Sequence, residues 1–373
     1  MARIWNKFIP FSNGAGTPLK RKVFVAMSGG VDSSVAAALL KKQGYLVTGG
    51  FMKNFSAESW NGVVDKDCPW QRDMEDARKV CEKIGIEFRS SNFEKEYREK
   101  VIEYFFSEYA AGRTPNPDIM CNQEIKFGIF LEKALEMGFD YIATGHYARV
   151  VKSGTKNYEL WKGKDIKKDQ SYFLYILNQF QLARTLFPIG EYTKAQVREL
   201  ARQFGLHNTD KKDSQGVCFI GHINLREFLK QRLPERTGEI VDPSGRVIGT
   251  HPGAWYYTIG QRHGLGIGGG APYYVAQKDV INNRLIVDAE FGRLVYQTRV
   301  ELSDVHWIGN EPAMPYECKA KIRYQQAGQD CTVERSGDGI VVKFKRPQFA
   351  PAPGQSIVFY DNDMVLGGAV MEE

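Results

Sequence analysis

The 373-residue chain contains no Cys-x-x-Cys pair. A structural zinc site is therefore poorly supported. Its six cysteines, Cys68, Cys81, Cys121, Cys218, Cys318 and Cys331, are too few for a disulfide scaffold at this length. A reducing cytosol is the plain reading, with any special cysteine present for its reactivity. No apolar run approaches the length of a membrane span, and no internal repeat is visible. Neither sign of charge dominates: the formal net charge is +6, which permits a polyanionic partner without requiring one. Residues 1–22 hold no acidic residue but carry Arg3, Lys7, Lys20, Arg21 and Lys22. Pro10, Gly14, Gly16 and Pro18 argue against a long targeting helix there, so a loose extension is expected. The expected compartment is cytoplasmic, with the mitochondrial matrix as the alternative that this basic extension raises.

Hydrophobic content of 43% and charged content of 25% belong to an ordinary globular protein. The length predicts two or three domains. The most informative stretch is Ala26-Met27-Ser28-Gly29-Gly30-Val31-Asp32-Ser33-Ser34. It follows the apolar run Val23-Phe24-Val25 and precedes the helical pattern Val35 to Leu40, so it reads as strand, tight turn, helix. Glycines let successive N–H groups converge, and serines at a helix start add hydroxyls where the dipole favours an anion. This is a phosphate cradle without the lysine of a Walker A loop, because Val31-Asp32 follow Gly30. SGGVDS resembles the PP-loop of the ATP pyrophosphatases, which cut ATP between the α and β phosphates.

Further strands are expected at Tyr45–Met52, Ile86–Phe88 and Tyr141–Ala143. Helices are expected at about Met74–Ile84, Phe93–Tyr109 and Ile125–Met137. Thr193 to Gln196 fits a capping box that opens a helix to about Phe204. Strands alternating with helices predict a doubly wound parallel sheet, whose ligands sit beyond the carboxyl ends of the strands. The PP-loop, Met52 and Thr144-Gly145-His146 all fall at that edge. After about residue 211 the composition changes. Residues 238–275 are Gly-rich, and from about 280 short alternating runs such as Leu285-Ile286-Val287 and Ser356 to Tyr360 predict an antiparallel barrel. The expected domains are 1–212 with the ATP site, 213–280 as a small central unit and 281–373 as the barrel. The fold class is α/β.

Four segments occur in order: SGGVDS, Asn116-Pro117-Asp118 ahead of Cys121, Lys168-Asp169-Gln170-Ser171-Tyr172, and Gly216-Val217-Cys218-Phe219-Ile220-Gly221. With them the chain, from about residue 22 to its C-terminus, resembles the tRNA-specific 2-thiouridylases (MnmA/TrmU family). The resemblance implies a PP-loop domain of the adenine nucleotide α-hydrolase type. It implies ATP-dependent replacement of the 2-oxygen of a wobble uridine in tRNA by sulfur, through an adenylated base, with AMP and pyrophosphate released. ATP binding then falls to Ala26, Met27, Ser28, Gly29, Gly30, Val31, Asp32, Ser33, Met52 and Gly145, with Mg²⁺ accompanying the nucleotide and no tightly bound metal. Cys218 would carry persulfide sulfur, Cys121 would be its partner, and Asp118 the acid–base candidate. Asn116, Pro117 and Asp118 would line the target-base pocket. Lys168, Asp169, Gln170, Arg323 and Tyr324 would contact tRNA. The partners implied are tRNA and a persulfide donor, either a cysteine desulfurase or a relay protein, with no membrane.

Blander readings stand beside these. Cys68, Cys81, Cys318 and Cys331 read as small buried hydrophobes. His146 reads as a phosphate ligand or as a satisfied structural histidine. Lys162, Lys164 and Lys167 read as a solvated face, and Lys211 and Lys212 as electrostatic helpers of Cys218. The segment 54–72 fits the family only loosely. A small-molecule PP-loop ligase would use the same loop but would not need two loop cysteines. A relic RNA-binding fold would not need them intact.

Overall fold

The computed structural model describes residues 20–56, 70–155, 157–212, 224–268, 272–289 and 292–372. The basic N-terminal stretch as far as residue 19 lies outside them, as do most of the segment 54–72, Cys68, Cys218 and the whole of Gly216 to Gly221.

The first unit is a parallel sheet. β1 (Lys22–Met27) is followed by a helix, Val31–Lys42, and then by β2 (Leu46–Lys53). A second helix, Trp70–Ile84, leads to β3 (Glu87–Asn92). Helical segments Glu94–Tyr97, Arg98–Ile102 and Glu103–Ala110 run on from one another, the middle one as a π turn. So do Pro117–Met120, Cys121–Ile129 and Phe130–Glu136, again with a π turn in the middle. β4 (Tyr141–Ala143) follows, then a hairpin of β5 (Ala148–Ser153) and β6 (Asn157–Lys162), then the short β7 (Thr185–Leu186). The sheet order is β3-β2-β1-β4-β7, with every pairing parallel. Gly44, Gly85 and Gly205 end their helices with φ near +90°, +65° and +64°, the left-handed stop that glycine tolerates.

β1 is central and alternates between two cores. Phe24 and Ala26 face one and Val23, Val25 and Met27 the other. Phe24 stacks on Phe130 and Phe139 with ring centroids 4.8 and 4.9 Å away. The chain builds outward from β1 through β2 to β3. It then crosses back to lay β4 on the other side of β1. The gap between the β1 and β4 loops is thus the switch point of the sheet, where such folds bind ligands.

The second unit has β8 (Gly238–Val241), β9 (Val247–His251), β10 (Tyr273–Asp279) and β11 (Arg284–Ala289) in the order β10-β11-β8-β9. The expected junction at 280–281 falls in the turn of the β10–β11 hairpin, where Asp279 pairs with Arg284. Leu285 and Val287 therefore pack in the central core with Ile240 and Val275, not in the barrel. Periodicity alone could not separate this mixed sheet, in which β11 runs parallel to β8, from the adjacent antiparallel barrel.

The third unit has β12 (Tyr296–Trp307), β13 (Tyr316–Lys321), β14 (Gln329–Ser336), β15 (Gly339–Phe349), β16 (Ser356–Asp361) and β17 (Met364–Met371). Pairing of β12 with β17 closes six strands into an antiparallel barrel. The β5–β6 hairpin of the first unit adds to its outside, Trp161 opposite Met364 and Leu160 opposite Val365. One apolar cluster correspondingly joins Phe24 and Phe130 to Phe228, Val358 and Tyr360. Among the described residues no helix is long and apolar enough to cross a membrane.

Phe24→Ala should cost about 3–5 kcal/mol, read in urea as an earlier unfolding transition with barrel signals lost later or together.

Candidate active site

The SGGVDS turn owes its shape to two features. Gly29 has φ near +72°, and a Cβ there would sit 2.3 Å from the carbonyl oxygen of Asp73. Gly30 caps the following helix in an extended conformation. The first intrahelical bond runs from Ser34 N–H to the Gly30 carbonyl, so the N–H groups of Val31, Asp32 and Ser33 stand outside the ladder. The Ser34 hydroxyl donates to the Gly30 carbonyl at 2.7 Å, and the Ser33 hydroxyl accepts from Ser28 N–H at 3.2 Å. Ala26 and Met27 are buried on opposite faces of β1, so their side chains are core and only their backbone can serve a ligand. Met52 is half-buried at the end of β2.

Across the switch point, Gly145 lies on this loop. A Cβ at Gly145 would fall 2.6 Å from Ser33 N and 2.8 Å from the Asp32 carbonyl carbon. The neighbouring His146 is buried, with Nδ1 sharing a 2.7 Å hydrogen bond with the Thr144 hydroxyl. Burial, and then the charge of Lys126, hold its pKa well below the ordinary histidine value. It is a neutral structural side chain, packed edge-on to Phe187 and tilted against Phe127 at 5.9 Å.

Several groups at the loop have no motif to announce them. Lys194 Nζ lies 2.9 and 2.8 Å from the two carboxylate oxygens of Asp32, and the Tyr147 hydroxyl donates to the same carboxylate at 2.8 Å. Asn208 Nδ2 donates to the Gly29 carbonyl at 3.0 Å and to the Ser34 hydroxyl at 2.9 Å. Lys211 Nζ reaches the Gly29 carbonyl at 3.3 Å and pairs with Asp73 at 2.7 Å and Asp76 at 2.6 Å. Two carboxylates thus hold the Lys211 ammonium at the loop; Cys218, which it is expected to help, lies outside the described residues. The capping box at Thr193, with both of its hydrogen bonds present, was the one visible signal, since it makes Lys194 the first helical residue.

The second cluster surrounds Cys121. Asn116 is an N-cap, its Oδ1 accepting from Ile119 N–H at 3.4 Å, and Pro117 is the first helical residue. Pro117 has no N–H to satisfy there. Asp118 is half-buried and stands three residues before Cys121, on the same helical side. Cys121 is 1% exposed. The segment ahead of it is clamped from all sides. Arg113 forms a two-pronged ion pair with Glu108. Thr114 N–H donates to the Pro353 carbonyl at 2.8 Å, and Gln355 Nε2 donates to the carbonyls of Thr114 and Pro115. The Thr114 hydroxyl reaches Thr258 of the central unit. Asn122 Nδ2 donates to the Phe173 carbonyl at 3.0 Å, and Phe173 packs on Tyr324 with ring centroids 4.5 Å apart.

The segments expected to meet tRNA thus converge, though not every side chain faces outward. Asp169 is buried. Its carboxylate accepts from Gly163 N–H, Ser171 N–H and the Ser171 hydroxyl, with Lys321 at 3.9 Å. Gln170 Oε1 accepts from Tyr147 N–H. These two side chains shape the turn, Asp169 buried and Gln170 half-buried. Lys168 is half-buried, and Lys164 and Lys167 are exposed. Arg323 donates to the Ala350 carbonyl at 3.2 Å with its guanidinium 5.5 Å from the Phe349 ring centre.

Three family models cover nearly the whole chain. They are a "tRNA methyl transferase HUP domain" over residues 21–222, a "tRNA methyl transferase PRC-barrel domain" over 226–289 and an "Aminomethyltransferase beta-barrel domain" over 297–371. The tRNA-specific 2-thiouridylase MnmA of Francisella philomiragia is 50% identical over 358 residues, 94% of this chain and 99% of its own length. That of Francisella tularensis subsp. novicida is 50% identical over 359 residues, with the same coverage. The chain belongs to the tRNA-specific 2-thiouridylase family. A solved 4-thiouridine synthetase–RNA complex with bound ATP superposes at a TM-score of only 0.35 with 18% identity, over 57% of this chain and 50% of its own, too loosely to carry an argument.

In this 2-thiouridylase the loop and the Cys121 helix are linked through Phe127 and His146, the residue after Gly145. Because His146 is held neutral, unfolding lets it bind a proton. Stability should be fully present above the unfolded histidine pKa of about 6.5 and be lost as pH falls below it. His251, also lowered by burial, adds to the same trend. Urea midpoints measured from pH 7.5 downward should fall below about pH 6.5, less steeply in His146→Gln.

Proposed function

We propose that the chain is an ATP-dependent tRNA sulfurtransferase that replaces the 2-oxygen of the wobble uridine by sulfur. The observation that carries this reading is the pairing of an anion cradle at the sheet switch point with a thiol, Cys121. That thiol sits on a helix packed against the same β4 loop. The 50% identity to curated thiouridylases supports it over full length.

The chemistry divides between the two clusters. A carbonyl oxygen leaves poorly, so the uracil O2 attacks the α phosphorus of ATP and pyrophosphate departs into the SGGVDS loop. Backbone N–H groups and the helix start stabilise its charge. Lys194, held on Asp32, supplies the cation that the loop sequence lacks. Among the described residues Asp32, Asp73 and Asp76 are the acids at the loop, and each already pairs with a lysine. Mg²⁺ would therefore arrive bound to the triphosphate and neutralise it there.

Cys218 is the sulfur carrier in this reading, loaded as a persulfide by a donor protein. The Cys121 thiolate attacks the inner sulfur of that persulfide, forming a Cys121–Cys218 disulfide and releasing hydrosulfide. Hydrosulfide adds at C2 and expels AMP, and a thiol reductant later reopens the disulfide. Asp118 takes or returns the proton. Cys121 is buried, so the helix start or the packing over it must shift when the base is flipped in. Asn116 and Pro117 set that helix start. Lys168, Arg323 and Tyr324 line the approach, offering phosphate contact and a stacking face.

Nucleoside mass spectrometry after incubating the full chain with tRNA, ATP, Mg²⁺ and a persulfide source tests the reading. A sulfur-for-oxygen mass gain at uridine is expected. A methylene gain, as the matched models' descriptions would have it, or no change, overturns it. Cys218→Ala should abolish thiolation but spare tRNA-dependent pyrophosphate release; 2-thiouridine from that variant with a persulfide donor refutes the carrier role. Lys194→Met should lower pyrophosphate release by about tenfold or more, of the order lost with one charged transition-state contact. Transfer RNA affinity should fall steeply with added salt because phosphate contacts release counterions. A flat salt dependence counts against the basic approach.

A further inference from the structure

Two cysteines that the reaction does not use face each other in the barrel. Cys318 on β13 is directly opposite Cys331 on β14 in the antiparallel register. Their sulfurs are 3.7 Å apart and both thiols are free. Directly opposed residues of an antiparallel pair have Cα atoms about 4.5–5.5 Å apart, inside the span a disulfide bridges. A disulfide holds its sulfurs about 2 Å apart, so this pair has to close from 3.7 Å.

The surroundings give the two sulfurs different parts. Cys318 is half-buried, at the rim, and Cys331 is buried among Ala320, Val333 and Phe344. A hydrogen bond with Cys318, and then burial, push the Cys331 thiol up. Cys318, the more exposed sulfur, is the one that a soluble oxidant meets first; once it is in a mixed disulfide the hydrogen bond that raises Cys331 most is gone, and Cys331 is the thiol placed to resolve it.

The rung also has a telling place. It lies in the hairpin whose tip, residues 322–328, carries Arg323 and Tyr324. The tip is held by Gln326, which accepts from Ile322 N–H at 3.0 Å and donates to Gln348 at 2.8 Å. Above the cysteine rung only Lys319 opposite Asp330 and Ala320 opposite Gln329 remain before the tip.

We propose that Cys318 and Cys331 form a reversible redox latch, closing to a cross-strand disulfide that locks the β13–β14 hairpin and its tip. The oxidant is a low-molecular-weight disulfide. The Cys318 thiolate attacks one of its sulfurs, expelling one thiol and leaving a mixed disulfide on Cys318. The Cys331 thiolate then attacks the Cys318 sulfur, expelling the second thiol. Two protein thiols are oxidised by two electrons and one small disulfide is reduced to two thiols. The latch is separate from the Cys121 and Cys218 chemistry and holds whatever the hairpin tip binds.

Equilibrating the full chain with glutathione disulfide and mapping tryptic peptides without reduction tests it. Peptides 300–319 and 324–335 should appear joined, and dithiothreitol should separate them. Cys331→Ser should instead accumulate glutathione on Cys318. Amide exchange over 322–328 should slow several-fold in the closed wild type and not in the variant. A wild type in which Cys318 stays stably glutathionylated with Cys331 free overturns the latch, as does a Cys331→Ser protein that takes up no glutathione at Cys318. Unchanged exchange at the tip in the closed form overturns the locking.

Discussion

The parallel pairing of β4 beside β1 is the constraint on which the site depends. Val23 opposite Tyr141 and Val25 opposite Ala143 bring the two strands out of the sheet side by side. Their loops then have no choice but to meet. They meet closely because neither Gly29 nor Gly145 carries a Cβ: one would strike the Asp73 carbonyl and the other the backbone of Asp32 and Ser33. The chain has crossed from β3 to the far side of β1 to achieve this, and the helices Trp70–Ile84 and Lys194–Gln203 are left to deliver Asp73, Asp76 and Lys194 to the same place.

The three units are interlocked rather than strung in line. The β5–β6 hairpin belongs to the first unit by sequence and to the barrel by hydrogen bonding. Tyr172 donates from its hydroxyl to the Ser356 carbonyl at 2.6 Å, and Thr114 is held by Pro353, Gln355 and Thr258. The strand of chain leading to Asn116 and Cys121 therefore reports on all three units at once. The barrel and the central sheet thus both hold the chain that enters the Cys121 helix, whose thiol is buried.

Much of this was legible without coordinates. The SGGVDS loop declares its strand, turn and helix because glycine and serine are chosen there for backbone reasons that hold in any context. The capping box at Thr193 and the Gly stops at 44, 85 and 205 are equally local. The misreadings share one cause. Asp169 looks like an exposed polar residue in a lysine-rich stretch, yet it is buried, with Lys321 of the barrel beside it. Lys211 looks free beside Cys218 in sequence, yet Asp73 and Asp76 hold it. Leu285 to Val287 look like barrel because alternation is the same in either sheet.

The sequence by itself determined the parallel architecture and the phosphate loop, because period and turn residues are properties of short segments. Only the tertiary structure decided which cations serve the loop, which polar residues are buried, where the central sheet ends and that Cys318 faces Cys331. Those are matters of pairing between residues far apart in the chain. Strand register and burial set such pairing, and neither can be read from one segment taken alone.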